Sequence, residues 1–467
     1  MFGSWVLLIA TVLLLGVVAL RWPRGTVMLL GVAVALEVVS QWYPDLGGGQ
    51  EGALLLSPAR LAGMAVIAAA LGKLIRDIWG RRGSWERVQV PSRLGMIFFS
   101  PLMAVVLGFL LYGAVGVFYS ADGRATVMEL LRLGMLAAVL AAAAYVLEKE
   151  DIPRVLQAVH MTGLVLAPLA CLEKMTGWLL WQGEHLILPE EALRVNATFV
   201  DPNIYARYLV LAVAANLVLQ RVCTTRRQRV FYWMGLAVLL LQLVLTQSRG
   251  GVVALGVVLV LALICLPRRK EVAGLLGGVT VGAVALVALR PQLWERITEI
   301  GYIFTGAESQ RLYLIKVALA MFGDHPVVGT GLGTFQAVFM EQYAHYKTMA
   351  AGAWRSHTAV LTLAAEQGVI GLVFLGALCG VLVYMVRKLY RDSGVKSRGS
   401  IYWSGTSRFV DVEAANRESA LLGAGCLLWV AAIFVSAQAE GRFFEDPMLW
   451  VAMAMLMVLH RERLMTG

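Results

Sequence analysis

Residues Arg226–Lys270 read RRQRVFYWMGLAVLLLQLVLTQSRGGVVALGVVLVLALICLPRRK. Two apolar runs, near 230–247 and 250–266, meet at Gln247-Ser248-Arg249-Gly250. Basic clusters bracket the pair: Arg226, Arg227 and Arg229 before it, Arg268-Arg269-Lys270 after it. A membrane-spanning helix needs about 17–25 apolar residues. A chain that crosses and returns within this length reads as a helical hairpin, because a helix satisfies its own backbone polar groups in hydrocarbon. Both basic clusters then lie on one side, and the positive-inside bias assigns that side to the cytoplasm. Arg249 sits at the other end, where the bias does not put it.

The same pattern extends outward. Apolar runs fall near 5–20, 25–42, 58–78, 94–119, 125–147, 153–177, 201–220, 230–247, 250–266, 271–289, 357–386, 417–437 and 446–460. The expected fold is all-α and polytopic, with about 12–13 transmembrane helices, forming a single integral membrane domain over residues 1–467. Lys73, Arg76, Arg81, Arg82, Arg87 and Arg93, then Arg221–Arg229, then Arg268–Lys270, then Arg387–Arg408 all fall on one side. The N-terminus is then outside and the C-terminus inside. Met1-Phe2-Gly3-Ser4-Trp5 has no basic n-region, so 5–20 reads as a retained span rather than a cleaved signal.

Composition narrows the classes further. The chain is 59% hydrophobic and 15% charged, far from the half-apolar, quarter-charged soluble norm. Its net charge of +10 would suggest nucleic acid in a soluble protein. Here the excess sits in short loops, where orientation and anionic lipid headgroups account for it, so no nucleic-acid partner is expected. Five cysteines and six histidines are scattered without ligand spacing; neither a metal site nor a cofactor is expected.

The opposite, extracytoplasmic face receives loops 43–57, 178–200, Gln247–Gly250, 290–356 and 438–445. The long loop 290–356 contains a predicted helix over 309–322, ended by Gly323 and Pro326. Next comes the turn region Gly329-Thr330-Gly331-Leu332-Gly333. Phe335, Val338, Phe339, Tyr343 and Tyr346 then recur at near-helical spacing. That amphipathic helix either lies in the membrane interface or caps the spans.

Three segments on this face carry the candidate chemistry: Ser248-Arg249-Gly250-Gly251, Ser309-Gln310-Arg311 and Trp354-Arg355-Ser356-His357. Guanidinium groups suit phosphate-bearing ligands. Gly250-Gly251 allows a tight turn and close approach of a backbone or a ligand. Arg249 reads either as an anion clamp or as an arginine snorkelling to the interface. An arginine at a helix start, like Arg311, opposes the helix dipole, which a bound anion would offset. His357 opens a span and has the chemistry of a general base, although a lone interfacial histidine also serves structure. Asp201, Pro202 and Asn203 suit a helix start; Arg194 is less easily explained that way. Glu366, inside a span, is paired, lines a cavity or marks a helix break. Glu129 and Arg132, three residues apart, read as a pair.

The order Arg194…Thr198-Phe199-x-x-Pro202-Asn203, Ser248-Arg249-Gly250-Gly251, Arg311, Pro326-x-x-Gly329-x-Gly331-x-Gly333-x-Phe335, His357 and Glu366-x-Gly368-x-x-Gly371 resembles the O-antigen ligase and polymerase superfamily. The resemblance covers roughly 190–380. Ala197 stands where that family often has Gly, and Thr358 where it often has Asn or Ser. The resemblance implies a GT-C-like membrane glycosyltransferase in the bacterial inner membrane, with its active site facing the periplasm or cell exterior. It implies a metal-independent, inverting transfer from an undecaprenyl-pyrophosphate-linked glycan to a hydroxyl of a glycolipid or lipid A core acceptor. Arg249, Arg311 and His357 would be catalytic; Arg194, Arg355, Asn203 and Glu366 would bind substrate. Membrane lipid and other polysaccharide assembly proteins are the further partners. Polymerase and ligase remain alternatives, as does a protein O-glycosyl ligase. A transporter or flippase of lipid-linked sugars is a reading from a different class.

Overall fold

Side-chain caps decide where the apolar runs start as helices. Ser100 accepts the Met103 N–H at 3.1 Å ahead of Pro101, and Asp122 accepts the N–H groups of Arg124 and Ala125, both at 3.0 Å. Asp201 accepts the Asn203 N–H at 2.7 Å beside Pro202. Thr225 and Gln228 form a reciprocal capping box, and Ser248 accepts the Gly251 N–H at 3.2 Å. Each cap satisfies a donor that the first helical turn would leave unpaired.

The computed structural model describes residues 2–44, 56–79, 93–180, 193–289, 310–343, 356, 358–393, 407–441 and 443–466. No strand occurs among them. The helices are α1 (Phe2–Arg21), α2 (Gly25–Ala33) continued by a 3₁₀ stretch (Val34–Trp42), α3 (Pro58–Trp79), α4 (Pro101–Gly116) and α5 (Gly123–Val146). Next come α6 (Ile152–Val165), α7 (Ala167–Thr176), α8 (Pro202–Val222), α9 (Arg226–Thr246), α10 (Arg249–Cys265) and α11 (Arg269–Leu289). The chain closes with α12 (Gln310–Asp324), α13 (Phe335–Gln342), α14 (Ala359–Asp392), α15 (Ser407–Glu440) and α16 (Pro447–Thr466).

Among the described residues, each apolar run of the sequence overlaps one of these helices or two in succession. Among the described residues, eight helical stretches are long and apolar enough to cross a membrane, and α4 and α10 are shorter apolar helices. The protein is an all-α polytopic membrane protein. The runs assigned to α3, α11 and α16 are helical too, but lie outside those eight.

α8 is the central post. Its apolar window is 89% buried, against 17% for the peripheral α1. α8 packs against α6, α9, α10 and α15. Lipid is as apolar as leucine, so such contacts gain from close packing and interhelical hydrogen bonds rather than from dehydration. The bonds are present. The Trp429 indole donates to the Leu211 carbonyl at 2.9 Å, the Tyr208 hydroxyl to Gly31 at 2.8 Å, and the Gln242 amide to Gly163 at 3.1 Å.

Candidate functional site

The α9–α10 turn is held from three directions. Gln247 ends α9 in the left-handed region, with φ 51°. Ser248 then caps α10, and its hydroxyl donates to the Asn203 side-chain oxygen at 2.9 Å. The same oxygen accepts from an Arg194 guanidinium nitrogen at 2.8 Å. Arg194 Nε also donates to the Thr246 carbonyl at 3.1 Å, one of the acceptors a helix end leaves over. Gly251 lets α8 close in: a Cβ there would stand 2.7 Å from the Ala206 Cβ and 3.1 Å from Leu243. Arg194, Asn203 and Ser248 are thus one hydrogen-bonded unit, and Arg249 emerges from it exposed.

The loop before α8 is fastened by a residue that the sequence reading passed over. Glu173, fully buried in α7, accepts the N–H groups of Ala197 at 2.9 Å and Asn196 at 3.2 Å with one carboxylate oxygen. Ala197 has φ 48°, a left-handed value that favours glycine. The Thr198 hydroxyl bonds the Ala35 carbonyl, and the Thr198 carbonyl accepts the Val38 N–H at 3.0 Å. The available signal was an acid inside an apolar run.

Glu366 does mark a break. α14 departs from helical geometry at Gly368, with φ 60° and ψ −158°. The segment Pro326–Phe335 lies across the gap. Val369 N–H donates to Pro326 at 2.8 Å, Gly331 N–H to the Glu366 carbonyl at 2.9 Å and Thr330 N–H to Ala365 at 3.1 Å. The Glu366 carboxylate accepts Gly333 N–H at 2.8 Å and Phe335 N–H at 3.1 Å, across the start of α13. A carboxylate there also complements the helix dipole. Phe335, Val338, Phe339 and Tyr343 are buried in a small core with Leu314, Val317 and Met321 of α12. One face of α13 therefore packs on α12 and on Ala365 of α14. The helix spans Phe335–Gln342, and Tyr346 is outside the described residues.

Ion pairs gather at this end of the bundle. Arg132 pairs with Glu129, as the spacing predicts, and also with Glu445 at 3.0 Å. Buried Arg207 of α8 pairs with Glu440 at 2.6 Å and Asp446 at 3.0 Å. The sequence reading did not single out Arg207. A basic residue within an apolar span was the signal.

The remaining expectations meet the structure unequally. Arg311 is the second residue of α12, and its side chain is outside the described residues. His357 and Arg355 are also outside them, although Ser356 and Thr358 on either side of His357 are described. Ser356 accepts the Thr358 N–H at 3.2 Å, and its hydroxyl lies 2.8 Å from that of Thr362. Among the described residues no group of three or more His, Cys, Asp or Glu side chains is placed to hold a metal ion. A small apolar cleft lies between α4, α5, α14 and α16, lined by Val106, Phe109, Leu133, Phe374, Phe444 and Trp450.

No curated protein matches the chain. The family model described as O-Antigen ligase matches residues 234–376. That region runs from within α9, through the Ser248–Gly251 turn, α12 and α13, past the break in α14. Over residues 234–376 the chain is thus similar to the O-antigen ligase family.

Proposed function

We propose that this protein is a membrane glycan transferase of bacterial surface polysaccharide assembly, moving a glycan from undecaprenyl pyrophosphate to an acceptor hydroxyl on the extracytoplasmic face. One observation carries the reading: the O-antigen ligase match over 234–376 takes in Arg249, Arg311, His357 and Glu366 together. The polyprenyl chain lies among the spans. Its pyrophosphate is held by Arg249 and Arg311, with Arg194 or Arg355 as a third contact. The Arg194–Asn203–Ser248 unit supports this placement by fixing the turn from which Arg249 projects.

The acceptor oxygen attacks the anomeric carbon while His357 takes its proton. The bond from that carbon to the pyrophosphate oxygen breaks, and the electron pair leaves on undecaprenyl pyrophosphate. A single displacement inverts the anomeric centre. Negative charge grows on the leaving group, so guanidinium contacts there act most strongly in the transition state. Glu366 serves this reaction by holding Gly333 and Phe335, and with them the α12–α13 cap, over the break in α14.

The test is a purified preparation in nanodiscs with undecaprenyl-pyrophosphate-linked repeat units, EDTA and either more glycolipid or a lipid A core acceptor. A product ladder from donor alone, lost in His357→Ala, supports a metal-independent polymerase. A single shift seen only with core acceptor supports a ligase. Absence of transfer with every acceptor overturns the reading.

A further inference from the structure

Three consecutive residues at the end of α15 each touch the beginning of a different helix. The Gln438 side-chain oxygen accepts the Val360 N–H at 3.4 Å, in the first turn of α14. Ala439 packs on Gly250 in the first turn of α10, where a glycine Cβ would lie 3.5 Å from its own Cβ. Glu440 pairs with Arg207, five residues into α8. Arg207 reaches past α15 to Asp446, immediately before α16. Its guanidinium spans the α15–α16 turn from both ends, Nη1 on Glu440 and Nε on Asp446. Arg207 and the two carboxylates are all at least nine-tenths removed from solvent.

We infer that Arg207 is a positioning residue: by clamping the α15–α16 turn it sets the register between the first turns of α10 and α14. Arg249 stands in the first of those turns, and the second follows His357 in sequence. The clamp suits this work because a forked guanidinium fixes direction as well as distance. Lysine would keep the charge and lose the fork. The opposite side of the turn is tied independently, by Glu445 to Arg132 of α5, so the turn is stretched between two helices that do not follow each other in the chain. The catalytic consequence rests on the proposed transfer reaction; the geometric one does not.

Arg207→Lys tests it, with Glu440→Gln as a second variant that keeps size and leaves Asp446 as counter-ion. Two readouts are taken in nanodiscs. The first is kcat and KM for undecaprenyl-pyrophosphate-linked glycan. The second is the distance distribution between spin labels at Val253→Cys on α10 and Val373→Cys on α14, both exposed positions, with the native cysteines replaced. A displacement of about 1 Å can cost on the order of 10²-fold in rate. The expected result is a kcat about 10–100-fold lower, KM within about 2-fold, and a broadened or shifted label distance in a variant that remains monodisperse. Unchanged kcat and distances in both variants overturn the inference. So does a raised KM with unchanged kcat, which would put Arg207 at the substrate. If the wild type transfers no glycan, the proposed function fails, and the label distances alone decide the clamp. If Arg207→Lys does not fold, Glu440→Gln carries the same two readouts.

Discussion

Arg249 and Arg194 resemble each other in the sequence and differ in the structure. Arg194 caps the end of α9 and holds Asn203, whereas Arg249 projects exposed from the turn they build. The proposed function makes Arg249 a donor to developing charge. Arg249→Lys is therefore expected to lower kcat by about 10²–10³, read in steady-state transfer assays. Ala197 offers a second residue-scale prediction. Its φ of 48° costs an alanine about 1–2 kcal/mol relative to a right-handed conformation, a cost glycine avoids. Ala197→Gly should hold or raise the thermal unfolding temperature and Ala197→Val should lower it. Glycine's larger freedom in the unfolded chain offsets part of the gain.

Among the elements, α14 and the segment across its break form one device. Glu366 accepts two backbone N–H groups near the start of α13, and its removal leaves buried donors unpaired. Glu366→Ala should cost about 1–3 kcal/mol and speed amide exchange at Gly333 and Phe335. Gly368 sits at φ 60°, ψ −158°, a region essentially restricted to glycine. A Cβ there would lie 2.3 Å from the Val327 carbonyl oxygen. Gly368→Ala should destabilise the fold by more than the Glu366 change, measured by thermal unfolding in detergent. Sequence patterning made the helices around this device legible and left its partners open, because Glu366 is both paired and beside a helix break, and the groups it pairs with lie on the distant Pro326–Phe335 segment.

For the whole molecule, charge distribution makes the sharpest prediction. Thr224 is exposed in the basic loop before α9, and Ala121 is exposed between α4 and α5 at the end that carries Thr330. With native cysteines replaced, Thr224→Cys should react with a membrane-impermeant thiol reagent only from the cytoplasmic side and Ala121→Cys only from outside. The reverse pattern would invert the assigned topology. Hydropathy and loop charge were enough to establish an all-helical membrane protein and to locate its helices, because a bilayer demands long apolar runs whose length and flanks are written locally. The order of short motifs was enough to suggest the family. Glu173 beneath Ala197, Glu366 across the start of α13, and Arg207 between Glu440 and Asp446 came only with the fold. Each of these carboxylates and guanidiniums finds a partner on a segment distant in sequence. A buried charge is tolerated only where packing brings such a partner to it, and no local pattern records which segments will meet.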